Sequence, residues 1–490
     1  MSASTFADLK FKVESSSMEL VNAGDPTFII RGPGEIWQDE TGALQFKIFA
    51  EREPYHRLRN YMGRPGIIGQ PIPDREFFNL RAVTYGMPTW TAERIMPAPR
   101  GGFTDGMAHG YINELIHHAD ADPGGEFDQV VVRFKGILEF PANRFTETER
   151  RIGEQVRGTS MSRDAAHFQA DRFRFEITRE SEHTQVLLLL PVGEYNQTTP
   201  NRIREALQFV LGRELTLLTI ESLSSTGRYT RLISPFFGRG TGEVAPPLQL
   251  THTDPSDDFW RMFGNYFQFI HRDHTSPMHP VSCQIHSSIE SAAASLDAEV
   301  LGLAVAVEGL IGGCFSGLAT VSEQFLRDLD DADRFLSTAP IAGQVRDRIR
   351  GFIPSMRRPR SADALRAFIS SQQLHPGLYR SWSRLRNASA HGAGIGSNDY
   401  ANILRIKNET LALFYAIVLA AINYAGPRTD YSLPGHPRGQ WPISTSATNL
   451  PVTVRPNENP PASEGHRMIL LWQKIRSLID DWVHRTFTTR

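Results

Sequence analysis

In the run Trp382-Ser383-Arg384-Leu385-Arg386-Asn387 an Arg stands beside an Asn, and His391 follows that Arg by five positions. These residue types form a compact set for cleaving RNA without a metal. RNA carries its own nucleophile, the 2′-hydroxyl. A site therefore needs a group that moves protons near neutral pH and a cation that stabilises the charge building on the phosphorane oxygens. His391 suits the first task because an imidazole titrates close to neutrality. Arg386 suits the second because its planar fork grips phosphate bidentately and stays charged. On a helix Asn387 and His391 share a face, whereas Arg386 and His391 are offset by roughly 140°. Arg386 must then reach round the helix, or the helix must distort near its end. Arg384, seven residues before His391, lies nearer that face and is a rival for the same role. A blander reading stands beside this one: Gly392 ends the helix, and Arg or His in a last turn complements the helix dipole.

The segment that must carry this run reads as a helical bundle from 288 to 425, with helices near 292–315, 321–335, 345–353, 362–371, 379–391 and 400–424. Glu308 sits in an otherwise apolar helix, where an unpaired charge is costly, so a basic partner is expected. The order of helices, with Arg386, Asn387 and His391, resembles the HEPN domain. That all-α ribonuclease family is marked by an Arg, usually a polar residue, and a His four to six positions beyond the Arg. The family commonly has an acidic residue in its first helix that orients the Arg, and Glu308 occupies the corresponding place. Upstream, the stretch Arg31-Gly32-Pro33-Gly34-Glu35-Ile36-Trp37, the alternation over 43–49, the segment 202–213, and Phe259-Trp260 with Tyr266-Phe267 look like the Apea-like HEPN proteins of bacterial phage defence. Those pair a β-rich N-terminal region with a C-terminal HEPN domain.

The resemblance implies an endoribonuclease that requires no metal or other cofactor. His391 would be the general acid/base, Arg386 the phosphate stabiliser, Asn387 a positioning donor and Glu308 the orienter of Arg386. The products would be a 2′,3′-cyclic phosphate and a 5′-hydroxyl. The expected partners are RNA, with tRNA as one target, a second copy of the chain completing a composite cleft, and a phage protein as trigger. The rival is a non-catalytic HEPN-like dimer scaffold whose N-terminal region recognises a protein or carbohydrate; fold alone does not separate the two.

At 490 residues, 40% hydrophobic and 22% charged, the chain can bury substantial cores, and an α+β multidomain architecture is expected. A β-rich sensor region spans 1–255, a helical connector 256–287, the HEPN-like bundle 288–425, a Pro-, Gly- and Ser-rich linker 426–464, and an amphipathic helix 465–490. The last places Ile469, Trp472, Ile475, Ile479, Trp482 and Val483 on one side, for docking on this chain's own bundle or on a partner. Strands are read at 27–31, 44–50, 130–140, 173–178 and 186–191, and one helix at 202–211 with Pro200 at its start and Gly212 past its end. Two cysteines, Cys283 and Cys314, argue against a disulfide scaffold and suit a reducing cytoplasm. No secretory signal opens the sequence, and the apolar stretches 300–319 and 410–425 read as buried helices rather than membrane spans.

A net charge of −2 gives no general affinity for nucleic acid, so RNA contact must come from a local patch. The densest basic segment holds Arg346, Arg348, Arg350, Arg357, Arg358 and Arg360. Arg357, Arg358 and Arg360, with Arg384, are expected on RNA phosphates; the alternative is a solvated face paired with Asp328, Asp330, Asp331 and Asp333. The cluster His271, His274, His279, Cys283 and His286 matches no familiar zinc spacing and reads as interdomain histidines, with no metal expected.

Overall fold

The computed structural model describes residues 10–50, 72–84, 89–100, 106–119, 127–152, 155–224, 227–235, 242–250, 256–338, 342–357, 359–390 and 400–443. His391, Arg358 and the expected helix over 465–490 lie outside the described residues. The architecture is α+β: a large antiparallel sheet fills the N-terminal half, and a helical region follows it.

The sheet has two parts with separate cores. Strands β1 (Lys12–Asn22), β2 (Ile29–Gln38), β3 (Leu44–Phe49), β4 (Phe78–Val83), β5 (Thr89–Ile95), β6 (Ala98–Arg100) and β7 (Met107–Ile112) lie in the spatial order β5-β4-β1-β2-β3-β7-β6. Only Met96 and Pro97 separate β5 from β6 along the chain. Two residues cannot cross a flat sheet of that width, so the run curls until its ends approach. Met18, Leu20, Ile30, Ile36, Phe46, Leu80 and Ile112 fill the inside. Gly32 of β2 needs its missing side chain, because a Cβ there would stand 1.8 Å from the Phe49 carbonyl oxygen.

Strand β8 (Glu114–Ala119) leads by way of β15 (Gly227–Ile233) and β14 (Leu217–Ser224) into the second part. There β9 (Phe127–Lys135), β13 (His183–Pro191), β12 (Phe173–Arg179), β11 (Gln155–Ala170) and β10 (Arg144–Ile152) follow in order. Alternation sets which face is buried: Phe173, Phe175 and Ile177 point inward from β12, and the register with β13 sets Phe175 opposite Leu188 and Ile177 opposite Val186. Helix α1 (Thr199–Leu211) belongs to the same core, with Pro in its first turn and Gly212 ending it at φ 68°, as the sequence predicts.

Helix α2 (Ser256–His271) belongs to the core, which corrects its reading as a connector. Trp260 stacks on Phe168 of β11 at 4.4 Å, and Phe263 and Phe267 meet Phe175 edge-on at 5.1 and 5.0 Å. On the other side Tyr266 stacks on Phe209 of α1 at 4.4 Å. Aromatic groups at i, i+3, i+6 and i+7 give one helix two apolar contacts at once. One continuous hydrophobic cluster therefore runs from β9–β14 through α1 and α2 into the later helices.

These are α3 (Pro280–Ala292), α4 (Leu296–Cys314), α5 (Glu323–Thr338), α6 (Gly343–Met356), α7 (Ser361–Ser371), α8 (Gly377–Ala390) and α9 (Tyr400–Ala421). From Thr410 to Leu419 every residue of α9 is buried, which makes it the central helix of the group. A second correction concerns 426–443, read as linker. Strands β16 (Gly426–Thr429) and β17 (Arg438–Trp441) pair there, Tyr431 and Trp441 are buried, and the Tyr431 hydroxyl donates to the Pro246 carbonyl at 2.6 Å. Two aromatic anchors outweigh a Pro- and Gly-rich composition. Among the described residues no helix is long and apolar enough to cross a membrane.

Arg202 and Glu205 of α1 form an ion pair at 2.7 Å with both side chains at 0% exposure. Arg202 also donates to the carbonyls of Asp273 (2.9 Å) and Ser276 (2.6 Å), and Glu205 accepts from the backbone N–H of His279 at 3.2 Å. The pair thereby ties α1 to the turn between α2 and α3. Removing one partner leaves the other buried without its counter-charge, so Arg202→Met or Glu205→Gln is expected to cost about 3–5 kcal/mol in urea unfolding. A loss below about 1 kcal/mol would show that the pair is replaceable.

Candidate functional site

Helix α8 is laid down by Leu378, Trp382 and Leu385, spaced i, i+4 and i+7 and all buried. Trp382 donates its indole N–H to the Ala304 carbonyl of α4 at 3.0 Å, fixing α8 against α4. Arg386, one turn after Trp382, emerges at the edge of this seam. Its Nε and Nη2 donate to the two carboxylate oxygens of Glu308 at 2.8 and 3.1 Å. The basic partner expected for Glu308 is thus Arg386, 78 positions away in sequence. The contact is half-exposed, with side chains at 48% and 36%. Hydrogen bonding to Glu308 and the attraction of its charge raise the Arg386 pKa above its ordinary value, so the guanidinium stays a cation. Glu308 occupies the Nε/Nη2 edge, and Nη1 is no part of that contact.

Asn387 is exposed and points about 100° round the helix from Arg386. Arg384 is exposed and makes no ion pair with a described residue. Helical spacing puts Arg380, Arg384 and Asn387 on one outward face, away from Glu308. The structure therefore brings Arg386 to Glu308, and sets Arg384 and Asn387 on a neighbouring face.

Three polar contacts beside this seam escape the sequence reading. Glu409 of α9 accepts from the Ser381 hydroxyl and pairs with Arg405 at 2.5 Å. Lys407 of α9 pairs with Glu299 of α4 at 2.9 Å, both side chains largely covered. The signal that singles out Glu308, a charge within an apolar helix, is also present at Glu409.

The basic segment is engaged with carboxylates. Arg350 pairs with Asp333 at 2.7 Å, Arg357 with Asp330, and Arg360 with Asp363 at 2.8 Å. Of the aspartates that precede the run, Asp330 and Asp333 meet it, because α5 and α6 pack side by side, whereas Asp328 and Asp331 bond to Gln324 and Arg334 within α5; Arg357 and Arg360 present cations that are already partnered.

The histidine cluster is dispersed among structural contacts. The His271 ring meets the Thr199 hydroxyl at 3.2 Å, His274 meets Asn196 at 3.1 Å, and His279 caps α3 by accepting from the Val281 N–H at 3.2 Å. Among the described residues no group of three or more His, Cys, Asp or Glu side chains is placed to hold a metal ion. Burial pushes His271 and His279 down to about 4, and the Arg202 cation adds to the effect on both.

No protein-family model, no curated protein and no solved structure matches this chain.

Two expectations follow. Arg386 and Glu308 are half-exposed, so Arg386→Ala and Glu308→Gln should each change folding stability by less than about 1 kcal/mol. Trp382→Ala, by contrast, should cost about 3–5 kcal/mol. Comparable losses for all three in chemical denaturation would make the ion pair a structural clamp. The second concerns acid. An unfolded histidine titrates near 6.5. Above that pH His271 and His279 are neutral in both states and their contribution is complete. Between 6.5 and 4 the unfolded chain takes up protons that the folded chain refuses, so stability falls as pH falls, by up to roughly 3 kcal/mol for each group. His279→Asn keeps an acceptor at the helix cap and removes one of the two groups. It should flatten the fall in melting temperature between pH 7 and pH 4.5, and an unchanged slope would dismiss the role of His279.

Proposed function

We propose that this chain is a metal-independent endoribonuclease of the HEPN type, acting as a regulated effector of phage defence. The observation that carries the reading is the two-point contact from Glu308 of α4 to Arg386 of α8. A carboxylate that takes one edge of a guanidinium fixes its plane and leaves the remaining donors to face a phosphate, which is the preorganisation a charged transition state rewards. Arg386 stabilises the phosphorane, His391 moves the proton of the 2′-hydroxyl, and Asn387 positions the substrate. The products are a 2′,3′-cyclic phosphate and a 5′-hydroxyl.

A homodimer is supported by the surface beside the pair. Leu301, Val305 and Glu308 line one stripe of α4, and Leu301 and Val305 are 44% and 55% exposed. Apolar groups left open next to a charged site suit a second copy closing over it.

One feature favours the alternative of a non-catalytic scaffold: Arg386 and Glu308 are neutral as a unit, and a cation already paired attracts phosphate less. Purified protein incubated with total RNA in EDTA, followed by mapping of the ends, separates the two. The enzyme predicts cyclic-phosphate ends, a loss of at least about 100-fold in Arg386→Ala and His391→Ala, and a slower Glu308→Gln that remains fully folded. Undiminished cleavage in both the Arg386 and His391 variants would reject the assignment, and absence of cleavage by the wild type under conditions of infection would favour the scaffold.

A further inference from the structure

Helices α5 and α6 pack on each other, and each buries a single residue, Leu329 and Ile353. The outer side of α6 is apolar. Val345, Ile349, Phe352 and Met356 are 50%, 42%, 58% and 48% exposed, and their spacing of four, three and four residues aligns them in one stripe. Phe335 of α5 is 68% exposed. A stripe of this kind is half of a helix–helix seam, and among the described residues nothing covers it.

The other half is present in the sequence. In the segment 466–487, Met468, Trp472, Ile475, Ile479 and Trp482 recur at four, three, four and three residues, the same repeat. Reach is sufficient: the chain from 444 to 465 can extend to about 75 Å. A protein of this size has a radius of gyration of only about 23 Å.

Area decides between this occupant and a second copy of the hairpin. A helix of 14 residues is about 21 Å long, and a stripe about 10 Å wide along it offers on the order of 200 Å². A stable interface between separate molecules buries about 800 Å² on each partner. A tethered segment needs far less, since its effective concentration is in the millimolar range.

We infer that residues 466–487 form an amphipathic helix that docks within the same chain on the Val345–Ile349–Phe352–Met356 face of α6, completing a three-helix unit with α5.

Amide hydrogen exchange of 343–356 tests this in the full chain, in a chain ending at Glu464 and in the full-length double variant Trp472→Asp/Trp482→Asp. The truncation removes only residues after the folded 426–443 hairpin, and the double variant guards against an effect of deletion itself. Exchange should accelerate at least tenfold in both. Phe352→Asp should do the same in the full chain, and a synthetic peptide of 466–487 at about 1 mM should restore protection to the truncated one. Light scattering should give the truncated and full-length chains the same number of copies. Protection unchanged by deletion and by the double variant overturns the inference. Protection that depends on protein concentration, with a loss of oligomeric state on deletion, also overturns it and assigns the tail to a second copy.

Discussion

A guanidinium and a carboxylate, fully removed from water, impose the strongest constraint in this protein. Burying Arg202 and Glu205 is costly unless they are paired and hydrogen-bonded, because isolated ions in an apolar interior are prohibitively unfavourable. The turn after α2 supplies most of what they need, two carbonyls and one backbone N–H, while the Arg202 Nε is buried without a hydrogen-bond partner among the described residues. That requirement fixes where α2 ends and where α3 begins. The same turn supplies His279, whose ring caps α3 and is held neutral by burial. Burial of Glu205 raises its pKa while Arg202 beside it opposes the rise, and the balance depends on the turn staying closed. Sheet and helices are consequently joined by a polar lock inside an apolar cluster. The N-terminal region is tied to the helices in the same way: β9–β14 share a core with α1, α2 and α9, while the cluster inside the curled β1–β7 run also takes in Leu115 of β8, Leu218 of β14 and Leu232 of β15.

The helices were more legible than the strands for a physical reason. A helix such as α9 or α4 repeats its apolar groups over four or more turns, so its signal accumulates. A strand offers only three or four alternations; β1, β4 and β5 carry polar or charged residues on the exposed face, and β7 and β8 hold glycine or histidine within. Those strands escaped the sequence reading. So did the start of α3, although Pro280 at its first turn and an acceptor at position 279 mark one: a histidine is an unusual cap and gave no hint of its role. The tract at 426–443 misled in the opposite sense. Proline and glycine there shape a tight hairpin, and the information that it folds lies in Tyr431 and Trp441, whose burial depends on residues some 180 positions away.

Within the candidate site, Glu308 and Arg386 are legible together because a lone charge in an apolar stretch points to a partner, although the structure leaves the pair half-exposed. A charge in an apolar helix demands a partner, and the motif supplied one. Nothing comparable links Asn387 or Arg384 to a contact, and their outward direction follows only from knowing which face Trp382 buries. Glu409 and Lys407 carried the same signal as Glu308 but lacked a motif to name their partners. The arginines of the basic segment show the limit of reading charge density along a sequence: a run of like charges says nothing about the aspartates one helix away that balance it.

Energetics separates the two kinds of ion pair in this structure. The Arg202–Glu205 pair is sealed, and its worth lies in what breaks when one member is lost. The Arg386–Glu308 pair is half in water, where screening and side-chain entropy reduce such contacts to about 0–1 kcal/mol. Stability therefore gives little reason for a guanidinium to be held by two points at that position, directly over a tryptophan that locks α8 to α4. Geometry gives a better one. Trp382 sets the helix, the helix sets the Cα of Arg386, and Glu308 sets the plane of its guanidinium, so that a solvent-facing cation is presented with little freedom left to lose. A group ordered in advance does not forfeit that entropy when an anion arrives, and this is the condition under which a single arginine contributes most to binding a phosphate or stabilising the charge that develops on one.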